Sequence, residues 1–484
     1  MHDATNSGSG FVSLIRNQTP KDQLRLNVQY REDYFQVPYD PNLNDWEQET
    51  PPGGNPDYIS YGLRDGQTER DSFVVANWVQ TLSPKALFSI APFYHYNQAN
   101  YDSRAGDNPV ATTWHQGSNY AGGQADAHLD AGPNSFSAGV YTFYQGENDL
   151  FGVLVDDGSA TSQPNVAANA NAGLVEFYIA DHLRLGRYIT LLGGERFSIY
   201  RAGLNESATY PRIGATVEIP RLHWVLRGFY GHFFQPAPLE TVSSSVLNYA
   251  SQQSSGENTF TPLPSERDEE HQFGIRIPYK GWYLDVDTVK NRVNDFLDHS
   301  NLGASNMYFP IAVDGALVRA WEMTLRSPEL AHLGQFHRTY SNQIAEQRGS
   351  IIGGFTCSIS GDPACYLGFN YTPVDHDQRE TLNTGFTSNL PLHTWFSTNV
   401  YYGSGFSNGL EGSPQSPYQG PYLPVHTTFD VSAGRSIGEH LKLSGSSLNV
   451  TNHHVLQDTS ITIGGFHYND PRMFSAELRF RFHF

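Results

Sequence analysis

The chain has 484 residues, enough for two or three ordinary domains or for one large all-β unit. Only 38% of the residues are hydrophobic, and the net charge of -19 argues against nucleic acid as a partner, because phosphate binding needs a basic surface. The mean hydropathy is -0.46 and no apolar run reaches about 18 residues, which excludes a transmembrane helix. A membrane barrel stays open, since each of its strands turns only half of its residues toward lipid.

Alternating apolar and polar residues recur along the chain and predict β-strands, whose side chains point alternately to two faces. In an early example, Leu24, Leu26, Val28 and Tyr30 alternate with polar residues. We predict about 19 such strands. They cover residues 10–16, 21–32, 69–82, 85–101, 117–131, 134–150, 170–183, 186–202, 208–219, 221–235, 267–278, 281–298, 311–327, 331–346, 376–389, 392–405, 424–436, 439–452 and 473–484.

The connections alternate between tight turns and long polar loops. The tight turns fall at Thr19-Pro20, Ser83-Pro84, Gly132-Pro133, Arg184-Leu185, Pro220, Tyr279-Lys280, Leu390-Pro391 and Ile437-Gly438. The long loops cover 33–68, 102–116, 151–169, 236–266, 347–375, 406–423 and 453–472. Short turns on one rim and long loops on the other are typical of an outer-membrane barrel. Glu195 departs from the pattern, because it lies on the predicted lipid face; a rim position or a β-bulge would account for it.

The last eleven residues form the clearest predicted strand, with one wholly apolar face and one wholly polar face. A strand with lipid on one side and a wet lumen on the other needs this composition. We therefore predict an antiparallel transmembrane β-barrel that ends on a barrel-closing strand. The apolar residues of that strand include Phe474, Leu478, Phe480, Phe482 and Phe484.

Short motifs that occur in a fixed order resemble those of TonB-dependent outer-membrane receptors, most strongly over residues 190–484. They are Gly194-Glu195-Arg196, residues 210–215, residues 225–234 with Pro236, Pro264-Ser265-Glu266 leading into His271-Gln272-Phe273-Gly274, Asp375-His376-Asp377-Gln378-Arg379, Ser404-Gly405-Phe406, Leu448-Asn449-Val450-Thr451-Asn452, and Pro471-Arg472. The resemblance implies a family barrel of 22 strands, the size of outer-membrane transporters. The 19 predicted strands would then be strands 4 to 22 of that barrel.

The resemblance also implies a domain organisation and a location. Family members begin with a signal peptide, a TonB-contacting box and a plug domain, and we identify none of these in residues 1–484. We expect an N-terminally incomplete receptor barrel in the outer membrane of a Gram-negative cell. Its expected partners are outer-membrane lipid, the barrel assembly machinery that reads a final strand ending in Phe, and TonB if upstream sequence supplies a plug.

The expected function is uptake of a scarce nutrient, such as a ferric siderophore, cobalamin or a glycan. The alternatives are a passive porin-like channel and a structural or adhesin barrel that acts through its long loops. The sequence predicts no enzyme, no cofactor and no metal site, because the 19 histidines are scattered and carboxylate pairs such as Glu269-Glu270 lie at an acidic strand entry. Ser407-Asn408-Gly409 is interpreted as an ordinary loop.

Three further features concern the loops. Cys357 and Cys365 flank a turn-forming Gly361-Asp362-Pro363 segment, which favours a local disulfide in an oxidising compartment. The acidic stretch 32–71 is interpreted as a solvated loop, with divalent-cation binding or bridging to lipid headgroups as the alternative. Aromatic faces in loops can bind a ligand at low entropic cost. The candidates for ligand contact are Tyr34, Phe35, Tyr39, Trp46, Tyr58, Tyr61, Tyr101 and Trp114, for which girdle or loop packing is the other interpretation.

Overall fold

The protein is built of β-strands throughout the part that the computed structural model describes, which comprises residues 4–36, 64–103, 110–155, 162–239, 258–301, 308–357, 370–407, 422–458 and 467–481. No helix in these ranges is long and apolar enough to cross a membrane. The strands are β1 (Thr5–Thr19), β2 (Asp22–Gln36), β3 (Gly66–Ser83), β4 (Ala86–Asp102), β5 (Val110–Ala131), β6 (Asn134–Val155), β7 (Gln163–Leu185), β8 (Ile189–Arg201), β9 (Asn205–Ile219), β10 (Trp224–Gln235), β11 (Asn258–Thr261), β12 (Glu266–Tyr279), β13 (Trp282–Asn301), β14 (Tyr308–Arg326), β15 (Gln335–Cys357), β16 (Thr372–Pro373), β17 (Glu380–Leu390), β18 (Thr394–Gly403), β19 (His426–Ile437), β20 (Leu441–Leu448), β21 (Leu456–Asp458), β22 (His467–Tyr468) and β23 (Met473–Phe480).

Nineteen of these 23 strands follow one another in a single antiparallel ladder, each paired with the next in the chain. The other four are short. β11 and β16 pair with the long strand β15, and β21 pairs with β22 in a sheet of its own. The predicted all-β architecture and its 19 strands are therefore confirmed.

Several predicted boundaries need correction. β5 begins at Val110 and β7 at Gln163, inside the predicted loops 102–116 and 151–169, and β20 ends at Leu448 rather than at residue 452. The strand predicted at 331–346 begins at Gln335 and continues to Cys357, so part of the predicted loop 347–375 is strand. The turn predicted at Arg184-Leu185 lies at residues 186–188, because β7 runs on to Leu185 and Gly186 takes a positive φ of 67°. The connection from β8 to β9 spans only residues 202–204, although it lies on the long-loop rim.

Cross-strand pairs assign the two faces of the sheet, because directly opposed residues lie on the same side. On the outer face, Val140 of β6 pairs with Phe177 of β7, which pairs with Phe197 of β8. This face carries most of the exposed large apolar side chains, among them Leu26, Val74, Trp78, Ile90, Phe136, Tyr144, Phe177, Ile179, Leu191, Ile213, Phe273, Trp321, Phe429, Leu443 and Leu478. Such a face requires an apolar solvent, whereas the inner face is mainly polar.

Glu195 lies in the middle of β8 and on the outer face. It pairs with Ile179 of β7 and Pro211 of β9, and neither ladder shifts its register there. Neither a bulge nor a rim position explains this carboxylate, so both expectations for Glu195 were wrong. We find no physical reason for its placement in the described contacts.

The two ends of the ladder have one paired neighbour each among the described residues. β1 pairs with β2, and β23 pairs with β20. In β23, Phe474 and Leu478 lie on the outer face opposite Ser447 and Leu443, and Phe480 lies opposite Leu441. The predicted facing of the terminal strand is consistent with this register. Phe482 and Phe484 lie outside the described residues.

Replacing Ile179 with Arg tests the assignment of faces. Ile179 is 60% exposed on the outer face, so the variant places a charge toward lipid at a cost of up to about 2–4 kcal/mol near the bilayer midplane. Gln124 is exposed on the inner face of β5, and Gln124→Arg is the matched control. We expect the folded yield in lipid vesicles, measured as heat-modifiable migration on a gel, to fall for Ile179→Arg alone. Equal yields for the two variants would contradict the assignment.

Candidate functional site in the lumen wall

The inner face contains a pocket of about 740 Å³ toward the long-loop rim. Strands β2 to β6 form its wall, and the segment 236–239 after β10 folds against it. Pockets of this size accommodate small-molecule ligands. The residues that line it are Gln29, Arg31, Asp33, Glu69, Arg70, Asp71, Asn97, Gln98, Ala99, Gln116, Gly117, Ser118, Tyr120, Phe143, Gln145, Glu147, Tyr200, Pro236, Ala237, Pro238 and Leu239.

The strand wall of the pocket is polar and acidic. Asp33, Glu69, Asp71 and Glu147 line it together with one inward-facing cation, Arg31. Arg70 pairs with Glu32 on the outer face of the same strands. Arg31 forms an ion pair with Asp33, and Asp71 Oδ2 lies 2.6 Å from His95 Nε2. Gln145 donates a hydrogen bond of 2.9 Å to Ser118. The wall therefore offers many hydrogen-bonding groups and an excess of negative charge.

A cluster of inward-facing aromatic rings from β4 to β6 extends from the pocket along the inner wall. Phe93 stacks on Tyr141 at 5.9 Å between ring centroids, and His95 stacks on Tyr120 at 5.6 Å. Phe143 contacts both Tyr120 and Tyr141 edge to face. Aromatic pairs in these geometries add about 0.5–1.5 kcal/mol each beyond burial. We name Phe93, His95, Tyr120, Tyr141 and Phe143 the aromatic floor.

The segment 236–239 is held in the lumen by specific contacts. Leu239 is buried against Leu174 and Tyr200, and the Tyr200 hydroxyl donates a hydrogen bond of 2.9 Å to the carbonyl of Ala237. The backbone N–H of Ala237 donates to Ser265 Oγ at 3.3 Å. The packing of Leu239 and the two hydrogen bonds of Ala237 hold the segment over one side of the pocket.

Two ionic networks lie on the inner wall apart from the pocket's strand wall. Glu176 accepts hydrogen bonds from Ser198 and Tyr210, the latter at 2.6 Å. In the other network, Arg227 donates to Asp285 and to Asp287, the latter at 2.8 Å. Glu176 also lies 3.6 Å from Arg196. These hydrogen bonds and ion pairs hold neighbouring strands together.

The structure separates the predicted ligand-contact aromatics. Tyr101 and Trp114 face inward at the rim, directly opposite each other on β4 and β5, and both are buried. The Tyr101 hydroxyl donates to Asp65 and the Trp114 indole N–H donates to Asp149, each at 2.7 Å. Neither lines the pocket, and their contacts show rim packing.

The remaining candidates divide into described and undescribed residues. Tyr34 is exposed on the outer face of β2, paired with Thr68, whereas Phe35 faces inward beside it. The other candidates, Tyr39, Trp46, Tyr58 and Tyr61, lie outside the described residues, as does Cys365 of the predicted disulfide. Cys357 is the last residue of β15, and its pairing with Cys365 stays a prediction. No group of three or more metal-ligating side chains occurs in the described ranges.

Residues of the motifs that resemble the receptor family form buried hydrogen bonds that hold loops at the long-loop rim. We call these hydrogen bonds the rim clasps. Asp377 is buried, and its carboxylate accepts a hydrogen bond of 3.0 Å from the N–H of Ala345. Burial raises the pKa of Asp377, which lies outside the membrane-spanning part of the strands. Asn449 is also buried, and its side chain donates to the carbonyls of His453 and Asp470. Ser265 donates its N–H to Glu206 at 3.1 Å.

The run from Gly405 to Gly409 has the Gly-x-Ser-x-Gly spacing of a hydrolase nucleophile elbow, which the sequence interpretation overlooked. Such an elbow needs a strand-to-helix turn. Ser407 instead forms an isolated β-bridge to Tyr422, and its N–H donates to the carbonyl of Asp377. The spacing therefore carries no sign of catalysis here.

Comparison with known proteins decides the family. The family model described as TonB dependent receptor-like, beta-barrel, matches residues 11–452. This chain belongs to the TonB-dependent receptor family. No curated protein matches it in sequence. The receptor barrel is thus an outer-membrane protein, as predicted.

Solved structures show the same fold at low sequence identity. The copper transporter OprC aligns with a TM-score of 0.72 and 10% identity over 99% of this chain and 72% of that one. The ferric citrate transporter FecA gives 0.70 and 12%, over 99% and 71%. The ferric yersiniabactin uptake receptor FyuA from Yersinia pestis gives 0.71 and 11%, over 99% and 71%. These neighbours are named as transporters or receptors rather than enzymes.

Replacing Tyr200 with Phe should release the segment 236–239. The carbonyl of Ala237 would lose its buried donor, which costs about 1–3 kcal/mol. We expect faster hydrogen–deuterium exchange in peptides that contain 236–239. Tyr144→Phe removes the same atom from an exposed tyrosine on the outer face and is the control. Unchanged exchange in Tyr200→Phe would show that other contacts hold the segment.

Asp377 gives a prediction for the rim clasp. Asp377→Ala leaves the N–H of Ala345 without its acceptor, so we expect a loss of about 1–3 kcal/mol in unfolding free energy. Asp377→Asn keeps an acceptor and should be tolerated. Because the folded-state pKa of Asp377 is raised, its contribution is fully present at low pH and falls as the pH rises through that pKa. Urea titrations at several pH values should therefore show less pH dependence for Asp377→Asn than for wild type.

Proposed function

We propose that this chain forms the wall of a receptor that takes up a scarce nutrient, and that the lumen pocket recognises it. The pocket is the observation that supports this proposal: it faces the lumen near the long-loop rim and combines hydrogen-bonding side chains with the adjoining aromatic floor. Ligand sites join apolar surface with a few placed polar groups in this way. Ferric siderophores, cobalamin and glycans are ligands that can use both parts.

The polar part of the pocket suits directional contacts with a ligand. Gln29, Asn97 and Gln116 line it, and each carries an amide with donors and an acceptor. Tyr120 and Phe143 present ring surface at its edge. Recognition would therefore combine amide hydrogen bonds with contact to a flat or apolar part of the ligand.

Energised transport requires more than the wall. In our proposal, a plug domain connected to TonB closes the lumen and completes the ligand site opposite the pocket. The ionic networks around Glu176 and Arg227 would lie along the path that the nutrient takes once the plug moves. The outer face would be in contact with membrane lipid, and assembly would follow recognition of the terminal strand.

A passive channel is the second candidate function. The polar inner face of 19 long strands favours it, because a wide barrel with an unfilled lumen conducts water and ions. In this case the pocket would be a widening of the pore wall and would bind no ligand tightly.

Uptake by cells distinguishes the two functions. Cells that produce the protein from its complete reading frame are given labelled ferric citrate, a ferric siderophore, cobalamin or a malto-oligosaccharide, with and without a protonophore. We expect accumulation of one ligand in energised cells only. Energy-independent entry of all the small solutes, together with steady ion conductance in planar bilayers, would establish the passive channel and overturn the receptor proposal.

Gln116→Leu tests the pocket itself. It removes an amide from the lining, so we expect the ligand found by uptake to bind at least tenfold more weakly in isothermal titration, consistent with about 1–3 kcal/mol for a lost hydrogen bond to a buried ligand. Asn148→Leu removes an exposed amide from the outer face of β6 and serves as the control. Equal affinities of the two variants would place recognition elsewhere.

A further inference from the structure

The outer face of β8 to β10 contains a groove of about 640 Å³ that the uptake function does not use. Its floor consists of the small residues Gly193, Ala215 and Gly228 on three neighbouring strands, and Ala215 pairs with Gly228. No other described heavy atom lies within 4 Å of the positions that a Cβ would take at Gly193 or Gly228. The floor is therefore open to the outside rather than filled from within.

The walls of the groove are largely apolar and stand above this floor. The lining also includes the carboxylate of Asp181, which accepts a hydrogen bond of 3.1 Å from the N–H of Ser135. Ile213 is 62% exposed on one side, and Leu191 and Leu183 line another. Phe273, which pairs with Gly228, is 55% exposed beside the groove. In a bilayer such a depression must be occupied by hydrocarbon, because neither water nor a void is stable there.

A row of cationic side chains lies one side-chain step nearer the long-loop rim. Tyr230 at the edge of the groove pairs with His271, His271 pairs with Lys290, and Lys290 pairs with Arg319. The rings of Tyr230 and His271 are 4.8 Å apart, so the groove and the row are continuous. Strand spacing makes the row from His271 to Arg319 about 10 Å wide.

Neighbouring carboxylates neutralise only part of the positive charge in this row and at Arg292, which lies nearer the long-loop rim. Arg319 pairs with Glu346 at 3.2 Å, and His271 lies 3.4 Å from Glu269. Lys290 and Arg292 are exposed on the same outer face and form no ion pair with the described part of the chain. Cations directly above an apolar belt attract anionic headgroups while their stems pack against the acyl region.

From this arrangement we propose a lipid-binding site on the outer face of β8–β14, for a phosphorylated glycolipid of the outer leaflet. An acyl chain occupies the groove over Gly193, Ala215 and Gly228. Lys290 and Arg319, with Arg292 above them, bind phosphate groups on the headgroup. The cations lie nearer the long-loop rim than Phe273 and Trp321 do. The groove and the cations together therefore fit a lipid whose headgroup points to the long-loop rim. The width of the row suits a headgroup with more than one phosphate.

The proposal is independent of the transported nutrient, since it concerns the opposite face of the wall. Its occupant also differs from bulk lipid in a testable way. Bulk phospholipid would fill the groove without regard to Lys290 and Arg319, and a second protein copy would cover both parts of the site without any lipid.

The test uses purified full-length protein and bisphosphorylated lipid A in bicelles as the probe. We measure lipid A retained after gel filtration by mass spectrometry and its affinity by titration. We expect the double variant Lys290→Gln/Arg319→Gln to bind at least tenfold more weakly, and Lys290→Arg/Arg319→Lys to bind as wild type does. Arg435→Gln, which removes an exposed cation from the outer face near the short-turn rim, is the matched control.

The groove is tested separately. Gly228→Leu fills the floor without an internal clash and should also weaken binding, whereas Gly173→Leu on the outer face of β7 should not. Lipid A without its phosphates should bind at least tenfold more weakly than the intact probe. Retention of intact lipid A by the Lys290→Gln/Arg319→Gln variant at the wild-type level would overturn the proposal. Equal binding of phosphatidylglycerol or cardiolipin, or a lipid-free dimer through this face, would also overturn it.

Discussion

In a bilayer, every backbone N–H and C=O must find its partner within the protein, because hydrocarbon offers none. The antiparallel ladder of 19 consecutive strands is the response of this chain to that constraint. Its strands reach 22 and 23 residues in β5, β6 and β7, longer than the membrane requires. The excess length of β5 and β6 extends the wall toward the long-loop rim, where Gln116 and Glu147 line the lumen pocket.

The same constraint explains how much of the fold could be predicted. Once lipid lies on one side and water on the other, side chains must alternate, and the alternation is visible in the sequence from Leu24 to Tyr30. The prediction from sequence failed where apolar residues do not face lipid or where the alternation of apolar and polar residues is interrupted. The inward-facing Tyr141 and Phe143 are aromatic although their face is wet, so the aromatic floor was missed. The extension of β15 to Cys357 was missed because glycines interrupt its pattern, with positive φ at Gly349 and Gly354.

The candidate site was largely beyond prediction because it is assembled from distant parts of the chain. Gln29 of β2, Gln145 of β6 and Leu239 after β10 meet only after the sheet has curved and the segment 236–239 has turned inward. Sequence reasoning instead selected aromatics near the long loops, of which Tyr101 and Trp114 are buried at the rim and do not line the pocket. The short motifs were more informative, since Asp377 and Asn449 fasten loops to the rim by buried hydrogen bonds. Their buried hydrogen bonds explain their positions.

Strand β10 shows what it means for one strand to separate two solvents. Gly228 and Tyr230 line the lipid-facing groove. Arg227, the residue before Gly228, lies on the water side, where it binds Asp285 and Asp287. Removing a single residue from the strand would exchange the two sets, moving the guanidinium into hydrocarbon and the tyrosine into water. Removing two would preserve the facing of every side chain. A change of one residue within the wall therefore needs a β-bulge to restore the facing, as at the register shifts between β14 and β15, whereas the loops can grow or shrink one residue at a time.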